Sequence, residues 1–499
     1  MTDLFKISRI SKAVFRIKKT LLFVRRGVNC ISMEIVLPAN QWTLEAAAHL
    51  LNRAGFGGAP DEIKKLHAMG HPQAVAFLLN PGEEADLFPP PELTSPTLYY
   101  DRKQAMKELP EEERQAFKKL YQRDEGDEIS AVRQWWLNRM RYSPFAAREK
   151  AVLFWHGHWA SSIDKVKWPF QMWQQNETLR AYAFGSIPAF AKEISRDPAM
   201  MKYLDLDSSS AAKPNENFAR ELMELFLLGE GNYSETDIQQ SARAFTGYRI
   251  DQKTGAFRFD QKQINTDTKV FFGRTGKFSG DDIIDIITSQ PRCAEYLTEK
   301  IWIFYAGTPP SPTTLSDLAQ KFRQSGLNTG LLLKSIFMNR DFYSPGVVRH
   351  QIKSPVQWVI QTCKTLDIPL PKAPHTENVL RSLGQQLLAP PNVKGWDGGR
   401  AWISSSSLLL RYNIAGQLVK ARSNKENQPI TAPNIDLIIP PNTTPERALE
   451  TLGERLFQSP LPPPLKEKAL AFLATNGNSA ESRRDLLHLA MSTPEFQLT

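Results

Sequence analysis

The run Lys213-Pro214-Asn215-Glu216-Asn217-Phe218-Ala219-Arg220-Glu221-Leu222-Met223-Glu224-Leu225-Phe226 decides the fold class. Pro214 suits the first turn of a helix, where its missing N–H has no intrahelical acceptor, and carboxylates there meet the positive end of the helix dipole. At about 100° per residue, Glu216, Arg220 and Glu224 share one stripe with Asn217 and Glu221 beside it. Phe218, Leu222, Leu225 and Phe226 cover the opposite face. Outward from this run the same three- and four-residue spacing recurs. Thr43 stands as an N-cap for Leu44 onward with Gly55 as the stop, and Pro60 opens a helix that Gly70 ends. Residues 81–97 are Pro-rich and read as a loop, and Pro110 to about Tyr142 is helical and highly charged, continuing to roughly Ala160. Further helices are expected near 171–184, 187–196, 215–228, 235–246, 281–306, 314–325, 329–339, 354–365 and 376–388. Residues 248–273 differ: Tyr248-Arg249-Ile250 and Phe257 with Phe259 alternate like a hairpin, and Val270-Phe271-Phe272 is expected to add a third strand. The expected fold is mainly α, a multi-helical globular array with one small β-hairpin excursion.

The chain has 499 residues, 41% hydrophobic and 23% charged, which is enough apolar material for a large core. No run is long and apolar enough for a transmembrane segment. Its cysteines, Cys30, Cys293 and Cys363, form neither a disulfide framework nor a CxxC pair. The net charge of +9 is uneven, because residues 1–32 carry +7 and the other 467 only +2. A body so nearly balanced is not built to neutralise phosphates, so no nucleic acid is expected as a partner. In the basic leader, Ile7, Ile10, Val14, Ile17, Leu21 and Val24 recur at helical spacing, which suits peripheral contact with an anionic membrane surface. The other reading is that translation starts at Met33. The apolar run Leu21-Leu22-Phe23-Val24 is too short for a secretory signal, so the cytoplasm is the default location. The expected organisation is the leader over 1–32, a main helical domain over 42–416, a Pro/Asn-rich linker over 423–446, and a C-terminal helical segment over 447–499 packing on the main domain.

Four constellations could carry chemistry. In Phe154-Trp155-His156-Gly157-His158-Trp159, two imidazoles at i and i+2 point the same way in an extended segment, which suits joint metal ligation. In a helix they diverge by about 200°, and the bland reading is a buried histidine bonded to backbone among core tryptophans. The polar stripe of the 213–226 run is either an exposed face of i,i+4 ion pairs or a site buried against His156 and His158. Asp205, Asp207, Ser209 and Glu216 fit some positions of a calcium loop, but Ser210 stands where such a loop needs Gly, so calcium is the less expected metal. Pro390 through Trp402 forms an irregular loop in which Trp396, Arg400 and Trp402 could stack on a sugar or a cation, or simply pin the loop to the core. Ser234 and Asp237 read as a capping box, and Arg53, four residues after His49, could clamp an anion or a buried carboxylate. No dinucleotide or Walker fingerprint and no nucleophile elbow occurs, so neither nucleotide nor flavin is expected.

These segments resemble the bacterial "domain of unknown function 1800" family. The resemblance rests on His49 through Gly57, Phe154 through Trp159, Asp197 through Met200 with Tyr203-Leu204-Asp205, Pro214 through Leu225, Pro390 through Trp396, and the closing Ser492 through Gln497. It implies a predominantly helical protein with no established activity to transfer. It also implies a possible extracytoplasmic role, since many members are exported and are encoded beside a second family resembling sulfatases and alkaline phosphatases. Members tend to carry a His-Asp pair where this chain reads Ile264-Asn265 ahead of Lys269, which implies an altered site if that pair binds a ligand.

Two functions follow as expectations. The first is a metal-assisted hydrolase of a phosphoryl or acyl substrate, with a divalent cation (zinc or another) on His156, His158, Glu216 and Asp205, and with Glu221, Arg220 and Arg53 in catalytic roles. The second is a non-catalytic protein that binds a small molecule, a glycan or a sulfatase/phosphatase-like partner through Trp396, Arg400 and Trp402. In that case the His/Glu/Arg cluster is a buried network fixing the helix packing.

Overall fold

Helix formation follows the expected punctuation closely. Thr43 accepts a hydrogen bond from the Ala46 N–H and starts the helix Leu44–Ala54, and Pro60 opens Pro60–Ala68. Ser234 and Asp237 form the reciprocal capping box at the head of Glu235–Ala244. The computed structural model describes residues 36–80, 82, 87–420 and 430–499, so the basic leader lies outside the described residues. Twenty-three α-helices lie among the described residues, and none is long and apolar enough to cross a membrane. Residues 35–499 make one compact unit.

Three departures have physical causes. The expected 281–306 helix is two helices, Gly280–Thr288 and Pro291–Ala306, because Pro291 cannot donate into a continuing helix and starts a new one. The expected third strand does not join the first hairpin: Tyr248–Ile250 pairs with Phe257–Phe259, while Lys269–Phe271 turns back onto Arg274–Gly276. Phe272 and Gly273 both take positive φ there, which makes the tight turn. The described part of the Pro/Asn-rich stretch is no free linker, since Ile430, Ile435, Ile438 and Ile439 are buried in the core.

The core is built around tryptophans, with Trp136, Trp155, Trp159, Trp302 and Trp358 fully enclosed. The long helix Glu111–Tyr142 packs against Ala146–His158 and Pro169–Ala181. At their junction the fully buried Glu149 accepts from Arg180 (Nε 2.7 Å, Nη2 2.8 Å), from Arg139 Nε (3.3 Å) and from Trp136 Nε1 (3.1 Å). Burial alone would push its carboxyl up, but Arg180, Arg139 and Arg148 together hold it below the usual range.

Two buried lysines have no carboxylate against the amine. Lys150 Nζ donates to Gln357 Oε1 and Lys353 Nζ to the Phe496 carbonyl (2.7 Å), and burial pulls each ammonium down to about 7. An unfolded lysine keeps its proton up to its ordinary value near 10.5, so between the two values the unfolded chain binds more protons and stability rises with pH. Stability measured by urea unfolding should therefore climb from pH 7 to 8.5. Lys150→Met should flatten the climb by up to about 1.4 kcal/mol per pH unit. An unchanged slope in that variant would mean that Lys150 stays charged in the fold.

Candidate functional site

The two expected metal-ligating histidines close a helix rather than an extended run, because Ala146–His158 stays helical to its last residue. Their rings diverge accordingly. His156 Nε2 accepts from the Leu388 N–H (3.0 Å), between Trp136 and Trp396. His158 Nε2 lies 2.9 Å from the Phe226 carbonyl, which only an N–H can satisfy, so its proton is assigned to Nε2. That ring stacks on Phe154 and lies against Trp155, Trp159 and Phe226. Burial pulls His156 down to about 3 and His158 well below its ordinary value, so both are neutral.

The carboxylates of the expected set have other partners. Asp205 pairs with Lys165 (2.8 Å), and Glu216 lies 3.5 Å from Arg220. Arg220 makes a two-pronged contact with Glu235 at 2.9 Å on each side. Among the described residues no three His, Cys, Asp or Glu side chains form a group that could hold a metal ion. The expected quartet of His156, His158, Glu216 and Asp205 is thus not gathered into one centre. The reason is local: the helix turns the two imidazoles apart, and the carboxylates are taken up by surface ion pairs.

Arg53 also lands elsewhere than expected. It is fully buried and donates to the carbonyls of Tyr305 (3.0 Å), Val347 (2.7 Å) and Thr499 (2.7 Å), stapling three distant segments where an anion clamp was expected. Its neighbour His49 bonds the Phe342 carbonyl at 2.9 Å. In the Pro390–Trp402 loop, Trp402 is buried, Trp396 half-buried and Arg400 exposed, so the two indoles make no open stacking floor. This loop docks tightly: a Cβ on Gly395 would stand 2.2 Å from the Gly157 carbonyl oxygen. At the position of the altered pair, the Asn265 and Asp267 carbonyls take the Lys269 ammonium at 3.0 and 3.1 Å, which makes this a loop closure.

What the sequence runs do build is a cleft. The 216–228 helix changes register at Leu222, and Leu222–Leu227 is a π-helix, closed by Leu228 N–H to the Met223 carbonyl at 2.9 Å. Carbonyls at such an end lack intrahelical donors, and cations there meet the negative end of the dipole. Five side chains from three segments supply the donors. Tyr296 Oη (2.8 Å) and Lys300 Nζ (3.2 Å) reach the Leu225 carbonyl, His158 the Phe226 carbonyl, and Arg292 and Asn232 the Leu228 carbonyl.

Beside this π turn lies a cavity of about 250 Å³ lined by His158, Glu224, Glu230, Tyr296, Lys300 and Lys394. It joins the 154–159 run, the 213–226 run and the 390–396 loop. Lys300 is pulled down to about 8 by burial, with its ammonium 3.2 Å from Tyr296 Oη. Glu221 is pushed up, first by burial and then by Glu224, against the pull of Arg220 and Lys394. Glu224 accepts from Tyr233 Oη at 2.7 Å. Tyr296, Lys300 and Tyr233 were not singled out from the sequence. Their only signal is the i,i+4 spacing of Tyr296 and Lys300 on one helix, which many surface helices share.

No curated protein and no solved structure matches the chain. The model of one family, described as "Protein of unknown function (DUF1800)", matches residues 49–498. The match takes in the cleft, the π turn and Arg53 alike, and on its extent the chain belongs to the DUF1800 family.

Proposed function

We propose that this protein is an acid–base hydrolase whose site is the cleft beside the π turn, acting on a small substrate with an acyl or phosphoryl group. One observation carries the reading: the cleft brings together a carboxylate fixed by a tyrosine and an amine pulled down, and Glu221, a carboxyl pushed up, stands next to its lining residues Glu224 and Lys394. Groups displaced in opposite directions at one cleft suit division into acid and base. In this account Glu224, oriented by Tyr233, takes a proton from the attacking water. Lys300 and Lys394 meet the charge that develops on the substrate oxygen, and Glu221 gives its proton to the leaving group. Arg220, held by Glu235, moderates Glu221 from beside it.

The form of the reading that relies on a divalent cation finds, among the described residues, no three His, Cys, Asp or Glu side chains grouped to hold it, short of the three protein ligands of a catalytic zinc site. The binding-protein reading loses the open tryptophan floor, and its His/Glu/Arg cluster is dispersed, with His156 and His158 on separate backbone groups and Arg220 paired with Glu235 at the surface.

The test is hydrolysis of alkyl esters and alkyl phosphates, whose poor leaving groups need a proton to depart, by full-length protein after exhaustive chelation. Turnover that survives chelation and drops about a hundredfold or more in Glu221→Gln, with an unchanged melting temperature, is the expected result. Lys300→Met should lose activity comparably. Absence of turnover across the panel, or turnover indifferent to Glu221→Gln, would overturn the assignment.

A further inference from the structure

The largest cavity described, about 700 Å³, lies away from that cleft, between the first two helices and the C-terminal helices. Its volume falls within the roughly 300–1,000 Å³ of small-molecule sites. Ile63, Leu449 and Leu461 are buried in its walls, whereas Leu44, 46% exposed, leaves apolar surface uncovered. A second cavity of about 100 Å³ shares Glu45, Gln458 and Ser459 with it, so the two adjoin across a common wall. The second differs in chemistry, lined by His49, Asn52, Gln361 and Gln458. Three of these are amides joined in a chain: Gln361 Nε2 donates to Asn52 Oδ1 (3.0 Å), and Asn52 Nδ2 to Gln458 Oε1 (2.6 Å).

The charges around the two cavities nearly cancel. Glu45, Glu450, Glu454 and Glu495 contribute four carboxylates. Lys64, Lys466, Arg349 and Lys353 contribute four basic groups. Of these, Arg349 faces Glu45 and Glu495. No net field selects an ion there, whereas amides offer donors and acceptors without charge.

The wall between the cavities is also built with care. Gly453–Phe457 is a π-helix, a rare geometry frequent at functional sites, and it sends Glu454 to the larger cavity and Leu456 and Phe457 to the smaller. A Cβ on Gly453 would meet the Ser459 carbonyl oxygen at 3.0 Å, so the shared wall lies directly on the π turn.

We propose that these adjoining cavities form a binding site for a neutral aliphatic amphiphile, its chain among Leu44, Ile63, Leu449 and Leu461 and its uncharged hydroxyl or amide head at the Asn52–Gln361–Gln458 end. The site is separate from the acid–base cleft and stands or falls independently of it. Saturation-transfer NMR on full-length protein would compare 1-decanol, decanoate and decyltrimethylammonium, three probes with the same chain and different heads. Transfer to the decanol methylenes is expected, with an affinity at least about tenfold above that of either ion. Leu44→Trp fills the mouth from an exposed position and should abolish the transfer with no change in melting temperature. Lys466→Trp is the second filling variant, from the opposite wall. No transfer from decanol, equal or stronger binding of either ion, or transfer that persists in both filling variants would overturn the proposal.

Discussion

Glu149→Gln should destabilise the protein by about 3–5 kcal/mol, the usual cost of removing one partner from a buried ion pair. The carboxylate is fully enclosed and holds Arg139 and Arg180 from two neighbouring helices, so its loss takes the compensating charge away from both guanidinium groups. The amide keeps the shape and one acceptor but not the charge, and this separates electrostatics from packing. Urea unfolding of the variant should show its first transition at a clearly lower midpoint, and the Trp136 indole should lose its acceptor or rotate. A loss under about 1 kcal/mol would mean that the three-helix junction is held by its tryptophans, with the ion cluster contributing little.

Arg53→Met should be nearly as costly, for a different reason. Three carbonyls, on Tyr305, Val347 and Thr499, would each lose a buried donor, at about 1–3 kcal/mol apiece before relaxation. The damage should be local: hydrogen exchange should rise at residues 495–499 and 345–350 before the rest of the chain responds. Arg53→Lys keeps the charge but cannot span three acceptors, so it should rescue little. A variant of normal stability that had lost only activity would instead mark Arg53 as part of a binding site, which was the sequence-based expectation.

Those two residues show where sequence reading succeeds and where it stops. Helices announced by a cap and an apolar stripe, such as Leu44–Ala54 after Thr43 or Glu235–Ala244 after Ser234, were legible because their signals are local. The fold class followed from them. The register change at Leu222 was not legible, because the run Leu222-Met223-Glu224-Leu225 reads as uninterrupted α-helix. The π turn is sustained by donors from elsewhere in the chain, His158, Tyr296 and Lys300, which no local pattern predicts.

The same holds for the histidines. Phe154 through Trp159 carries cues for a ligand pair and for a core alike, and the decision comes from distant carbonyl and amide groups at Phe226 and Leu388. The 154–159, 213–226 and 390–396 runs each stand out in the sequence, but their meeting point does not, since it depends on Gly395 packing onto the Gly157 carbonyl. Glu149, the most consequential carboxylate in the core, has no sequence signature beyond its place in a charged helix.

On the proposed reading the cleft beside the π turn holds groups tuned for proton transfer, while His156, His158 and Arg53 hold the fold. Lys300 tests this most directly, because its amine sits at the heart of the cleft and its titration can be read without knowing the substrate. Full-length protein carrying ¹³C-methylated lysines would be titrated by NMR, with the Lys300 resonance assigned by its disappearance in Lys300→Met. The account predicts a midpoint at about 8. A Lys300 midpoint at the ordinary lysine value near 10.5 would show a solvated amine in an untuned cleft, and would contradict it.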